Sequence, residues 1–333
     1  MILALRALGV GDLLTAVPAL RALRAAFPER TLALAAPRGL APLVDLIGGV
    51  DRLLPVDGVH GLDEWRRHRW TVPSPAVAVN LHGRGPQSHH LLRAAAPGRL
   101  LAFASAPAGH TDGPAWVERE HEVARWCRLL RWYGIPADPA DLDLRTPRPD
   151  GVPVGVTVVH PGAKHAWRRW PAERFASVAR SLTGAGHRVV LTGSPAERDL
   201  ALRIARAADL PLTAVLAGRT GLVELAALVA HARLLVSGDT GIAHLATAYR
   251  TRSVLLFGPM SPRRWGPPAD RPWHRALWHG GSDDPVPDGG SDPDSSAPHP
   301  LLARITPAEV LAAAAGVERV ERPGQVAGAV TAQ

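Results

Sequence analysis

Residues 2–27 read ILALRALGVGDLLTAVPALRALRAAF, and this stretch decides the fold class. The apolar run at 2–8 is typical of a buried strand, and residues 13–27 have the apolar spacing of a helix. A short glycine-containing turn joins the two. A strand that passes through such a turn into a helix is the repeating unit of α/β proteins. The stretch therefore predicts an α/β fold with a parallel sheet.

The same alternation continues along the chain and is interrupted once. A polar, proline-rich segment at 136–153 separates two similar halves, and the 333 residues exceed the usual size of one hydrophobic core. We therefore expect two α/β domains, at 1–150 and 151–333. The further predicted strands lie at 31–36, 77–81, 154–160, 188–192, 212–216, 234–237 and 253–257, and a further helix lies at 120–133.

Two helix starts carry a capping-box pattern with proline at the first helical position. They begin at Ser194, with Glu197 three residues later, and at Thr306, with Glu309 three residues later. The capping box explains Glu197 fully. The alternative is that Glu197 contacts the ribose or the base of a nucleotide at the carboxyl end of a strand.

Two segments lack the pattern of a packed structure. Residues 280–300 are dominated by Gly, Ser, Asp and Pro, so they bury too little apolar surface to offset the entropy of ordering. We expect a mobile loop there and a frayed tail after residue 321.

The net charge of +8 and the pI near 11.0 favour acidic partners. These could be nucleic acid, anionic lipid headgroups or phosphorylated small molecules. The cations are arginines apart from Lys164, and they are scattered rather than clustered with exposed aromatic residues. This distribution argues against nucleic acid.

The sequence contains few signals for targeting to a compartment or for cysteine chemistry. No run approaches eighteen apolar residues, and Arg6 interrupts the first strand-like run, which is unlike a signal peptide. We expect a cytoplasmic protein whose charge allows a peripheral encounter with the inner face of a membrane. The single cysteine, Cys127, cannot form an internal disulfide or a multi-cysteine zinc site, and we expect it to be buried in a helix.

The first candidate segment is the turn that contains Gly9, Gly11 and Asp12. A dinucleotide fingerprint would need glycine where Leu14 stands, and Asp12 would place a negative charge against the pyrophosphate. A Rossmann dehydrogenase is therefore disfavoured. Asp12 is either a helix N-cap or a carboxylate at the mouth of an interdomain cleft that takes a proton from an acceptor hydroxyl, and one residue can do both.

The second candidate segment, at 159–171, follows the first strand of the second half. Lys164, Arg168 and Arg169 fall within six residues, after a glycine turn and before a helix that Pro171 opens. Such a loop can hold a diphosphate by combining charge with backbone donors. The alternative is a solvated basic loop.

The third candidate segment, at 236–246, is a strand that runs directly into a helix. The backbone amides of Thr240, Gly241 and Ile242 at a helix N-terminus would bind an anion favourably. Asp239 could cap the helix or bind sugar hydroxyls. His244 is either a buried structural histidine or a ligand contact.

Together, the order and spacing of these segments resemble glycosyltransferase family 9, the ADP-heptose:lipopolysaccharide heptosyltransferase family. The resemblance covers most of the chain. The motifs that carry it are RALGVGDLLTAVPAL at 6–20, HPGA at 160–163, RRWPAERF at 168–175, GDTG at 238–241, HLA at 244–246, LFGP at 256–259 and PRRWGP at 262–267.

This resemblance implies the GT-B fold, in which two Rossmann-like domains with parallel sheets face each other across a cleft. It makes Asp12 the catalytic base, at a cleft turn formed by Gly9 and Gly11. The residues that would bind the donor phosphates are Lys164, Arg168, Thr240 and Gly241, and those for the donor sugar and nucleoside are Glu197, Asp239 and His244. It implies no cofactor and no metal.

The chain departs from the family pattern at three places. Arg168 stands where members have lysine, and Asn80 replaces the acid of an Asp-Leu-His-Gly motif. Residues 280–300 lack the cysteine-rich segment that many members have before the final helix.

The implied activity is metal-independent, inverting transfer of a heptose-like sugar from a nucleoside-diphosphate donor, ADP-linked by resemblance. The acceptor would be a hydroxyl of a glycan or another molecule, and an anionic one would suit the charge. Two alternatives remain open: a nucleotide-sugar epimerase on the same fold, and a silent protein that binds a nucleotide sugar or an anionic polymer.

Overall fold

A computed structural model describes residues 1–56, 73–281 and 297–321. Within these residues the chain forms two five-stranded sheets in which every pairing between strands is parallel. This confirms the predicted α/β class. Most of the loop predicted at 280–300, and the predicted frayed tail, lie outside the described residues.

The first sheet has the strand order β3-β2-β1-β4-β5. Its strands are β1 Ile2–Leu5, β2 Leu32–Ala36, β3 Arg52–Pro55, β4 Val77–Asn80 and β5 Arg99–Leu101. The helices of this half are α1 Val10–Thr15, α2 Val17–Ala26, α3 Ala41–Ile47, α4 Gln87–Arg93 and α5 Glu122–Trp132. The predicted helix at 13–27 is thus two helices that meet at Ala16, because Pro18 lies in the first turn of α2, where its missing N–H costs no hydrogen bond.

The second sheet has the strand order β10-β9-β8-β6-β7. Its strands are β6 Thr157–His160, β7 Val189–Leu191, β8 Leu234–Gly238, β9 Ser253–Leu256 and β10 His274–Leu277. The helices are α6 Ala172–Gly184, α7 Arg198–Ala207, α8 Leu222–Ala230, α9 Gly241–Ala248, α10 Pro262–Trp265, α11 Pro300–Arg304 and α12 Pro307–Glu318. Both predicted capping boxes form, one leading into α7 and the other opening α12.

The strand predicted at 212–216 is wrong. Leu212–Ala214 form a short 3-10 helix, and Val215 makes only an isolated parallel bridge with Leu191. Leu212 is 61% exposed, so the apolar run is not buried as a sheet strand would be.

The core lies on both faces of each sheet. Successive residues of a strand point to opposite faces, so Ile2 and Leu3 enter different apolar clusters, as do Val158 and Val159. Ile2 and Val158 belong to the same cluster, which continues from one sheet to the other. The two halves therefore share apolar packing between them.

The strand orders place a crevice at one end of each sheet. The chain goes from β1 to one side through β2 and to the other through β4, and it goes likewise from β6 through β7 and β8. Ligands of open α/β sheets bind at the carboxyl ends of strands at such reversal points. The three candidate segments follow β1, β6 and β8, so the topology brings them to these crevices.

Cys127 is buried on α5, as predicted, and burial raises the pKa of its thiol to about 11. None of the helices in the described ranges is both long and apolar enough to cross a membrane.

Candidate active site

The candidate site is a cleft of about 700 Å³ between the loops that end β1, β6 and β8. Every residue to which the resemblance assigns a site role lines it: Gly9, Gly11, Asp12, Lys164, Arg168, Glu197, Asp239, Thr240, Gly241 and His244. Residues of both halves therefore share one cleft, whereas their individual roles remain predictions.

Asp12 is held at the first turn of α1. The helix begins at Val10 with Gly9 as its N-cap, so Asp12 is the third helical residue and not the cap. Its Oδ2 accepts a hydrogen bond from the Gly9 N–H at 3.2 Å, and its Oδ1 lies 3.4 Å from Nη2 of Arg6. The side chain is 29% exposed and lines the cleft, so the carboxylate has a fixed direction and lone pairs free for a proton.

The N-termini of α1 and α9 meet at two glycines. A Cβ added to Gly11 would lie 2.8 Å from Cδ2 of His244, and one added to Gly241 would lie 2.8 Å from Cβ of Val10. Neither glycine has a positive φ, so close approach of the two halves, rather than turn geometry, accounts for both. The turn that carries Asp12 thus lies directly against the start of α9.

The start of α9 offers unused hydrogen-bond donors. The first amides of a helix have no intrahelical acceptor, and those of Gly241 and Ile242 open this helix beside the cleft. The N-cap residue Thr240 makes no side-chain cap bond, and its Oγ1 is buried with no hydrogen-bond partner among the described residues. A buried hydroxyl without a partner, beside free amides and the positive end of a helix dipole, suits an anion.

The two cationic side chains predicted to bind the donor phosphates, Arg168 and Lys164, have different surroundings. Nη2 of Arg168 lies 2.5 Å from Oδ2 of Asp239 and 3.2 Å from the Asp239 carbonyl oxygen, so the guanidinium is partly committed. Burial raises the pKa of Asp239, and the neighbouring Arg168 opposes that shift. Lys164 is exposed in the cleft and forms no ion pair with any described residue. Lys164 therefore carries the more available charge.

Glu197 forms the predicted capping box and also lines the cleft, so its contact with a nucleotide stays a prediction. Its Oε2 accepts the N–H of Ser194 at 2.7 Å, which completes the capping box, and its side chain lines the cleft. A Cβ added to Gly162 would lie 2.3 Å from the carboxylate carbon of Glu197, so glycine is required there for this carboxylate to lie over the loop after β6.

His244 lies half-buried between Gly11 and Trp265. Its ring meets the ring of Trp265 edge to face, with centroids 6.1 Å apart. Burial lowers the pKa of His244 to about 4, and the charge of Asp12 opposes this shift. The imidazole is therefore neutral near pH 7 and has both a donor and an acceptor to offer a ligand.

Several cleft residues were not identified from the sequence. His160 ends β6 with Nδ1 2.9 Å from Oγ1 of Thr192, and burial lowers its pKa. Trp265 and Met260 follow the glycine motif at 256–259 and line the cleft. The signal that could have found His160 is its place at the carboxyl end of a central strand.

Asn80, one of the departures from the family pattern, has a structural role at the end of β4. Asn80 is fully buried, and its side-chain amide donates to Oγ of Ser88 at 2.9 Å and to the Gly83 carbonyl at 3.2 Å, so it organises the end of β4.

Within the described part of the chain, no three His, Cys, Asp or Glu side chains are grouped so that they could hold a metal ion.

Comparisons with known proteins agree with the fold and the motifs. A family model described as glycosyltransferase family 9 (heptosyltransferase) matches residues 115–280. Lipopolysaccharide heptosyltransferase 3 of Escherichia coli is 35% identical over 129 residues, which is 38% of this chain and 36% of the relative. Lipopolysaccharide heptosyltransferase 2 of Salmonella typhimurium is 27% identical over 301 residues, which is 76% of this chain and 81% of the relative.

The chain belongs to glycosyltransferase family 9.

The structural comparison extends this assignment to the fold. The structure of E. coli ADP-heptose lps heptosyltransferase II matches with a TM-score of 0.72 at 22% identity, covering 95% of this chain and 98% of that one. The family 9 chain thus has the expected GT-B fold. The matched range 115–280 contains the predicted donor-binding residues but not Asp12.

Proposed function

We propose that this family 9 chain transfers a heptose-like sugar from an ADP-linked donor to a hydroxyl group of a glycan acceptor, with inversion at the anomeric carbon and without a metal ion. The observation that carries the proposal is that Asp12 lines, from one half, the cleft in which the other half presents Lys164, the first amides of α9 and the Thr240 hydroxyl, which has no partner among the described residues.

The reaction is a single displacement. Asp12 takes the proton of the acceptor hydroxyl as its oxygen bonds to the anomeric carbon. The bond from that carbon to the diphosphate oxygen breaks, and its electron pair leaves with the diphosphate. The developing charge is stabilised by Lys164, by the hydroxyl of Thr240 and by the amides at the start of α9. Fixed donors of this kind supply the stabilisation that a metal ion provides in other enzymes.

The remaining residues orient the donor. Asp239 and His244 line the cleft near Asp12 and have the acceptor and donor groups that sugar hydroxyls need. Glu197 lines the cleft in the short 3-10 helix Pro195–Glu197 that follows β7, where its carboxylate can hold a ribose. Arg168 exchanges part of its contact with Asp239 for the diphosphate when the donor binds.

The names of the relatives support the proposed donor and acceptor classes. The matched proteins are named lipopolysaccharide heptosyltransferases, and one matched structure is of an ADP-heptose enzyme. An anionic acceptor would suit the net charge of +8. We place the reaction in the cytoplasm, at the inner face of the membrane that carries such an acceptor.

Donor binding is tested first, by thermal shift of the purified chain with ADP, UDP, GDP, CDP and NAD. We expect ADP alone to raise the melting temperature, and Lys164→Ala and Arg168→Ala each to reduce that rise. Arg206→Ala, on the surface of α7, is the matched control. Stabilisation by NAD alone, or by no nucleotide at saturation, would contradict the donor site.

Transfer is tested by ADP release from ADP-heptose with lipopolysaccharides truncated at successive sugars, with and without EDTA. We expect release that depends on acceptor, persists in EDTA and falls to a small residual rate in Asp12→Asn, while ADP still stabilises that variant. NMR of the product should show an anomeric configuration opposite to that of the donor. A changed nucleotide sugar formed without acceptor would instead support the epimerase, and binding without either product would support the silent protein.

A further inference from the structure

Beneath Asp12 lies a buried arginine that the proposed mechanism does not use. Arg6 follows β1, and its side chain is fully buried. Burying an arginine costs free energy unless its charge is paired and its N–H donors are satisfied, so the partners of Arg6 indicate its role.

The contacts of Arg6 converge on Asp12. Its Nε donates to the Asp12 carbonyl oxygen at 2.8 Å, and its Nη1 donates to the Leu81 carbonyl oxygen at 2.6 Å. The two hydrogens of Nη2 are shared among Thr15 Oγ1 at 3.1 Å, Glu122 Oε1 at 3.2 Å and Asp12 Oδ1 at 3.4 Å. Arg6 thus contacts both the backbone and the side chain of Asp12. Thr15 adds a second hydrogen bond to the same carbonyl oxygen, at 2.9 Å.

Arg6 is itself fixed by α5. The side chain of Glu122 is 6% exposed, and its carboxylate bridges Arg6 and Arg125. The guanidinium carbon of Arg6 lies 4.6 Å from the ring centroid of Trp126, and that of Arg125 lies 4.0 Å from the ring of Trp116. Arg125, Glu122, Arg6 and Asp12 therefore form a series of alternating charges from α5 to the cleft.

The arrangement leaves Asp12 with one open direction. Arg6 approaches Oδ1 from the interior and the Gly9 N–H approaches Oδ2 from the turn, so the remaining lone pairs face the cleft. Arg6 does not line the cleft and would not touch the donor.

We propose that Arg6, held by Glu122, is the positioning residue that aims the Asp12 carboxylate at the acceptor hydroxyl. The inference rests on the proposed function of Asp12. The fork of the guanidinium matters because one planar group reaches both the carbonyl and the carboxylate of Asp12, whereas a lysine ammonium on a flexible stem is a point charge.

Arg6→Lys is the principal variant, because it keeps a positive charge beside the buried carboxylate of Glu122. We expect turnover to fall by about 10²-fold, since a small misplacement of a catalytic group has that order of effect. The affinity for ADP, measured by calorimetry, should stay within about twofold, because Arg6 lies outside the cleft wall. Arg128→Met is the matched control, because Arg128 also lies on α5, pairs with Glu120 and covers the ring of Phe103 without touching Asp12.

A double-mutant cycle separates positioning from structure. If Arg6 acts through Asp12, then Arg6→Lys should cost nothing further in turnover when Asp12→Asn is already present. A further loss in that background, or equal losses of turnover and of ADP affinity, would overturn the inference. If Asp12→Asn retains full turnover, the proposed function fails whatever Arg6 does, so the two failures are distinguishable.

A crystal structure of Arg6→Lys provides a test that needs no acceptor. We expect the Asp12 carboxylate to leave the Gly9 N–H or to occupy more than one rotamer, and to remain single and bonded to Gly9 in Arg128→Met. A single, unmoved Asp12 in Arg6→Lys would refute the positioning role. Arg6→Met serves as the second variant if Arg6→Lys does not fold, because it removes the buried charge of Arg6 and leaves Glu122 paired with Arg125.

Discussion

Gly241→Ala adds one methyl group at the place where α1 and α9 meet. The new Cβ would lie 2.8 Å from Cβ of Val10, 3.0 Å from its Cγ1 and 3.3 Å from the backbone nitrogen of Gly11. Both Cβ atoms are attached directly to their backbones, so no side-chain rotation relieves the contact. One helix must move away from the other.

The size of that movement follows from ordinary packing distances. Carbon atoms in contact lie about 3.5–4.0 Å apart, so the helices must separate by about 1 Å. Asp12 moves with α1, whereas the phosphate donors move with α9. Misplacement of about 1 Å between reacting groups lowers rates by about 10²-fold. The N–H of residue 241 is retained, and alanine is a better helix former than glycine, so neither anion binding nor helix stability should suffer.

The assay measures turnover with ADP-heptose and acceptor beside ADP affinity by calorimetry. We expect a loss of about 10²-fold in turnover with ADP affinity unchanged within about threefold. Gly39→Ala and Gly184→Ala are the controls, because nothing lies within 4 Å of a Cβ at either position. Turnover close to that of the wild type in Gly241→Ala would refute the claim that this contact sets the distance between base and leaving group.

Three further predictions test single features of the structure. Thr240→Val should lower ADP affinity roughly fivefold and leave the melting temperature of the free protein unchanged or higher, because the buried hydroxyl it removes has no partner in the described residues. Calorimetry measures the affinity, and thermal denaturation measures the melting temperature. Unchanged affinity would contradict the anion site. Gly162→Ala should lower the free energy of unfolding by about 1–3 kcal/mol, measured in urea, because its Cβ would displace the Glu197 carboxylate; a fully stable variant would show that Glu197 is free to move. Burial lowers the pKa of His274 from 6.5 to about 3, so the unfolded chain binds a proton that the folded chain does not, and this residue should remove stability by about 1.4 kcal/mol per unit as pH falls through that window. His274→Gln should flatten the dependence of the free energy of unfolding on pH, and an identical slope in the variant would exclude that contribution.

The sequence predicted the central strands and missed edge strands for one physical reason. Central strands such as β1 and β8 are fully buried and appear as continuous apolar runs. The three missed strands, β3, β5 and β10, each lie at the edge of a sheet, and each contains an exposed arginine or proline. Such residues are typical of sheet edges and hide the periodicity on which prediction depends. Residues 212–216 are the opposite case, an apolar run that the tertiary structure leaves partly exposed.

The candidate site was predictable where it depends on local chain geometry. Thr240 starts a helix directly after a strand, and Glu197 follows Ser194 at capping-box spacing, so nearby residues alone indicate both positions. The contact of Gly241 with Val10 joins residues far apart in the chain, and so does the contact of Arg6 with Glu122. Spacing within one sequence carries no information about such pairs.

The two halves divide the chemistry in a way that makes their contact part of the site. Asp12 belongs to the first turn of α1, and the proposed phosphate donors belong to the first turn of α9. Each half folds around its own sheet, so neither half alone fixes the distance between the carboxylate and the diphosphate. That distance is set where Gly11 and Gly241 allow the two helices to approach. Arg6 then sets the direction of the Asp12 carboxylate from the interior side. In the proposed reaction, glycine at these two positions and a buried arginine at residue 6 are therefore requirements of the same geometry, although none of the three needs to touch the reacting atoms with a side chain.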